Sequence, residues 1–125
     1  MKFSKKELAA MCKMAETIAL ADGNVDEQEV LVAAGGLVNF CKDEEEFEAI
    51  ANMSEEMSSD EMCSIISAMN KEQKKYTCGY MASVMVADEE IDEKEIAIWR
   101  LMSTLLNFPE MSLEEAIDFW ADNVD

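Results

Sequence analysis

The chain has 125 residues, half of them apolar, and sets 28 carboxylate side chains against ten lysines and arginines, with no histidine. That length and composition give one domain, residues 1–125, with enough apolar mass for a real core. The net charge of −18 excludes nucleic acid and anionic lipid as partners, since both need a basic face, and the missing histidine excludes Ser-His-Asp and Cys-His catalysis within the chain.

No stretch approaches the roughly 20 apolar residues of a membrane span. The opening Met1-Lys2-Phe3-Ser4-Lys5-Lys6-Glu7 reads as the start of a helix rather than a leader, so a cytoplasmic location is expected. Cys12, Cys41, Cys63 and Cys78 form no C-x-x-C pair and are expected to be buried thiols in a reducing compartment.

Helix starts dominate the pattern. A capping box places a short polar residue at the N-cap and Glu or Gln three residues on, and so satisfies two orphaned N–H groups. Boxes occur at Ser4/Glu7, Asp26/Glu29, Asp43/Glu46, Ser58/Glu61, Asn70/Gln73, Asp92/Glu95 and Ser112/Glu115, which predicts seven helices. Apolar stripes follow them. Leu8, Met11, Cys12, Ala15 and Ile18 line the first helix, and Val30, Ala34, Leu37 and Phe40 the second. Phe47 and Ile50 mark the third, and Met62, Ile66 and Met69 the fourth. Tyr76, Tyr80, Val84 and Met85 run down the fifth, Ile96, Trp99, Leu101, Met102 and Leu105 down the sixth, and Ala116, Phe119 and Trp120 down the seventh. Pro109 is placed to stop the sixth helix. Gly35-Gly36 permits either a close helix contact or an early helix end. No period-2 strand pattern survives, so the fold class is all-α.

The chain also repeats itself. A shift of 66 residues lays Ala21-Asp22-Gly23-Asn24-Val25-Asp26-Glu27-Gln28-Glu29 on Ala87-Asp88-Glu89-Glu90-Ile91-Asp92-Glu93-Lys94-Glu95, and the Ser4/Glu7 box on Asn70/Gln73. The expected architecture is a single compact bundle of two pseudo-repeated three-helix units, about 4–53 and 70–123, joined by a linking helix.

Within the repeated loops, Asp26 with Glu29 and Asp92 with Glu95 are explained as helix caps. Asp22 and Asp88 are not. Each falls at the predicted C-terminal end of a helix, where the macrodipole disfavours a carboxylate. Either an Asx-turn or a bound hard cation would offset that cost. Asp22, Asn24 and Asp26 share the first oxygen spacings of an EF-hand loop, but Glu27 stands where its turn glycine must be and Ala33 where its bidentate Glu must be.

These two loops in an all-helical domain resemble the TerB-like tellurite-resistance family. The resemblance implies a bundle of about seven helices and no catalytic activity. It implies divalent-cation binding (Ca²⁺, Mg²⁺ or Mn²⁺) at Asp22, Asp26, Glu29, Asp88, Asp92 and Glu95, in a stress- or metal-response system. Glu89 departs from the pattern where the first copy has Gly23. The alternative reading is an acidic, Met-rich adaptor for a basic protein partner with no specific metal site. Eleven methionines fit either core filling or an adaptable partner groove, and Met57 and Met62, flanking a short acidic connection, are the expected exposed patch.

Overall fold

The computed structural model describes residues 2–21, 35–38, 40–85 and 93–123, without the side chains of 19–21, 94 and 95. Within them every regular element is a helix, with no strand. The helices are α1 (Lys5–Ala21), α2 (Glu44–Glu56), α3 (Ser59–Ser67), α4 (Lys71–Met85), α5 (Glu93–Leu105) and α6 (Leu113–Asn123). Residues 35–38 are also helical, within the predicted second helix. The all-α expectation therefore holds.

The capping boxes start these helices as the sequence predicts. Ser4 N–H donates to Glu7 Oε1 at 2.8 Å and Glu7 N–H to Ser4 Oγ at 3.1 Å. Asn70 with Gln73, and Ser112 with Glu115, close the same reciprocal pair. Asp43 and Ser58 cap α2 and α3 by accepting from Glu46 N–H and Glu61 N–H. The boxes at Asp26/Glu29 and Asp92/Glu95 lie outside the described residues.

α1 packs on α2 as α4 packs on α6, α3 lies against α1, and the related helices α1 and α4 touch each other. Gln73 Nε2 reaches Glu7 Oε1 at 3.4 Å, a contact between two residues exactly one repeat shift of 66 apart. The same amide donates to Lys2 O at 2.7 Å and ties the N-terminal segment to α4.

The core is centred on α4. Ten consecutive residues, Tyr76 to Met85, are buried, so this helix is enclosed on every side rather than along one stripe. Its polar members are satisfied locally: Thr77 Oγ1 donates to Gln73 O at 2.8 Å and Ser83 Oγ to Gly79 O at 2.9 Å. Tyr76 OH donates to Gly36 O at 2.9 Å, and its ring meets Phe3 and Phe40 at centroid distances of 5.6 and 5.4 Å. Such offset and edge contacts are the favoured aromatic geometries.

Two glycines set how closely the neighbours approach α4. A Cβ on Gly79 would run into Ala116 O and Trp120 Cβ of α6. On Gly36 it would stand 2.5 Å from the Tyr80 ring, whereas on Gly35 it meets nothing. The question left open for Gly35-Gly36 is thus settled as a close contact, made by Gly36 alone.

α5 ends earlier than the proline suggests. Asn107 has φ 55°, in the left-handed region. Its N–H donates to Thr104 O, and Phe108 N–H donates to Ser103 O, which is the paired bonding of a Schellman motif. Asn107, not Pro109, is the stop.

The glycine geometry gives a paired expectation. Gly79→Ala should destabilise by about 1–3 kcal/mol, because helix backbone rather than a flexible tip must move. Gly35→Ala, exposed and helical, should stabilise by about 0.5–1 kcal/mol. Urea unfolding midpoints of the two variants check the contrast, and a Gly79→Ala protein as stable as wild type would refute it.

Candidate functional site

Five of the six predicted cation ligands, Asp22, Asp26, Glu29, Asp88 and Asp92, lie outside the described residues, as does the side chain of Glu95. Among the described residues, no group of three or more Cys, Asp or Glu is placed to hold a metal ion.

The cysteines are free thiols. Burial pushes Cys78 up to about 12 and raises Cys12 and Cys41, with Glu16 and Glu55 adding to the rise at Cys12 and Glu46 and Asp43 at Cys41. A thiol raised in this way stays protonated at neutral pH and is a poor nucleophile. Cys78 is buried as expected, while Cys12, Cys41 and Cys63 are half-buried.

Two expectations about surface and core are corrected. Met57 and Met62 do not form an exposed patch; they are 5% and 1% exposed. Met57 caps the end of α2, and its N–H donates to Met53 O and Ser54 O, which turns the chain back so that both side chains join the core. With them, Met11, Met14, Met69, Met81, Met85 and Met102 are buried, so most of the methionines are core filling.

The second correction concerns α5. The predicted stripe mixed two faces, because residues two apart on a helix point about 200° apart. Trp99 and Met102, followed by Leu106, face the core. Ile96, Leu101 and Leu105 face outward and are 38%, 59% and 56% exposed. With exposed Ala97, Arg100 and Thr104 they form two neighbouring ridges, 97–101–105 and 96–100–104, the first preceded one turn earlier by the exposed carboxylate of Glu93. Among the described elements, α5 has far less contact with α4 than α6 has.

The second of these ridges is one wall of an open cleft of about 1070 Å³. Met85, Trp99 and Ser103 also line it, together with the connection from Asn107 to Ser112 and with Leu113 and Glu115. The connection is held by the left-handed Asn107 and by the Ser112/Glu115 box. An apolar groove edged by polar residues and continuous with an exposed apolar ridge is how protein-docking surfaces are commonly built. The sequence carried this signal in Leu101 and Leu105, which fit no single stripe with Trp99.

Charge around the cleft is one-sided. After Tyr76 the chain has only Lys94 and Arg100 as cations, against twelve Asp and Glu residues, and Glu110 and Glu115 line the cleft itself.

No family model matches the chain, and no curated protein does. A solved structure does: a protein of unknown function from Porphyromonas gingivalis is 32% identical, over 97% of this chain and 92% of that one, with a TM-score of 0.87.

Proposed function

The chain belongs to the same family as the Porphyromonas gingivalis protein, and on that footing we propose that it is a non-enzymatic cytoplasmic module that binds a basic amphipathic helix of a partner protein. The observation that carries this reading is the outward apolar face of α5 beside the cleft, in a protein of net charge −18. A helix seats on such a surface by setting its own ridge into the groove between two others. Basic residues along the docked helix meet the surrounding carboxylates, which speeds encounter and rejects acidic partners. A second copy of this chain is disfavoured for the same reason, since it brings another −18. The missing histidine and the burial of the Cys78 thiol, which keeps it protonated, support a binding role over a catalytic one. No helix among the described residues is long and apolar enough to cross a membrane.

The sequence repeat favours a second reading, consistent with the TerB-like resemblance. In it the loops carrying Asp22, Asp26 and Glu29, and Asp88, Asp92 and Glu95, each hold a divalent cation and report it to the docked partner.

Each reading has its own test. For docking, the probe is an 18-residue peptide with leucines at helical spacing and lysines elsewhere, titrated by calorimetry. Leu101→Glu/Leu105→Glu should weaken binding at least about tenfold, the loss expected when central apolar anchors are removed. Pure charge attraction predicts the opposite sign, because two more carboxylates would tighten a non-specific complex; equal or tighter binding by the variant overturns the reading. For cations, thermal unfolding is compared in millimolar Ca²⁺, Mg²⁺ or Mn²⁺ and in monovalent salt of equal ionic strength. Specific binding at 100 times Kd adds about 2.7 kcal/mol and should vanish in Asp22→Asn/Asp88→Asn. A gain that monovalent salt reproduces is only relief of self-repulsion and sinks the cation reading.

A further inference from the structure

Arg100 is the one arginine in the chain, and its place is unusual for a cation in so acidic a protein. It is exposed on α5, lines the cleft, and forms no ion pair among the described residues. Glu115, on the same cleft, has Oε1 engaged by Ser112 N–H. The hydroxyl of Thr104 is also spent, donating to Arg100 O at 3.0 Å. Ser103 is different: its Oγ is buried and has no hydrogen-bond partner, although it stands one helical turn from Arg100 and lines the same cleft. Asn107, one further turn on, lines it too. An unpaired guanidinium, an unsatisfied hydroxyl and a carboxamide bordering one cleft form a donor set for an anion. A buried hydroxyl left without a partner is costly, and an acceptor brought in by a ligand removes that cost.

We infer that Arg100 and Ser103 receive a carboxylate carried by the docked helix, so that the partner is a basic segment bearing one Asp or Glu at the edge of its apolar face. This rests on the docking reading above and adds the register to it. The lysines of the segment respond to the general field, which fixes no position along α5. Among the described side chains of α5 and the cleft, Arg100 is the one cation, and its planar guanidinium fork holds the carboxylate in a defined orientation. Glu110 and Glu115, elsewhere along the cleft, repel it.

The test uses two 18-residue Lys-Leu peptides that differ at one residue bordering the apolar face, Glu in one and Gln in the other. General electrostatics makes the Glu peptide the weaker ligand, because it carries one positive charge fewer in net. Wild type should instead prefer it by about fivefold or more, the size of a specific charge pair at an interface. Arg100→Gln should reverse that preference while still binding the Gln peptide, and Ser103→Ala should reduce it. A Glu peptide that binds wild type more weakly overturns the inference and leaves docking intact, as does a preference that survives Arg100→Gln. If neither peptide binds, or if both ignore Leu101→Glu/Leu105→Glu, docking itself fails and the inference falls with it.

Discussion

The close approach of α6 to α4 at Gly79 is the constraint on which the rest of the fold depends. Because a Cβ there would collide with Ala116 O and Trp120 Cβ, the two helices are in backbone contact, and the layer they form leaves α4 no solvent face. Once α4 is enclosed, every residue from Tyr76 to Met85 must be apolar, small or internally bonded. Thr77 and Ser83 meet that demand by returning their hydroxyls to carbonyls of their own helix. Gly36 repeats the device on another side by admitting the Tyr80 ring. Tyr76, bonded to Gly36 O, fixes residues 35–38 against the same helix. A phenol so buried resists ionisation, and its pKa is pushed up to about 12 with Trp120 pulling the other way.

Much of this was legible in the residues. The five boxes that fall on described residues all cap helices, because capping is local chemistry that needs nothing from the rest of the chain. The 66-residue shift likewise placed Glu7 and Gln73 in equivalent boxes, and the fold brings the two side chains together. What stayed hidden depends on neighbours distant in sequence. Thr77, Gly79 and Ser83 lie outside the apolar stripe read for α4, and the packing of α1 and α6 makes them core as well. Asn107 gave no sign of its left-handed backbone, while Pro109, two residues later, drew attention as the stop. Met57 and Met62 looked exposed beside acidic residues, but the α2 end turns both inward. The six candidate cation ligands are legible only as a sequence repeat.

The same enclosure bears on the small contact that α5 makes with α4 among the described elements. α4 has its surface taken by α1, α6 and residues 35–38, and α5 meets it over a small area. That leaves a helix with apolar residues on two faces and core for only one. Leu101 and Leu105 gain nothing from exposure in the isolated protein, since each, more than half exposed, forgoes part of the roughly 1.5–3 kcal/mol that full burial supplies. On the proposed docking, a partner helix would recover that burial, and the carboxylates around the cleft would favour one that is basic.

Native-state hydrogen exchange, measured with and without the Lys-Leu peptide, tests this division between a closed centre and an available helix most directly. Amides of Tyr76 to Met85 should exchange only through global unfolding, while those of Glu93 to Leu105 should exchange through local opening of lower free energy. The peptide should then slow exchange in α5 and leave α1 and α3 as they were. An α5 as protected as α4 in the free protein, or peptide protection falling on α1 and α3 instead, would contradict the account.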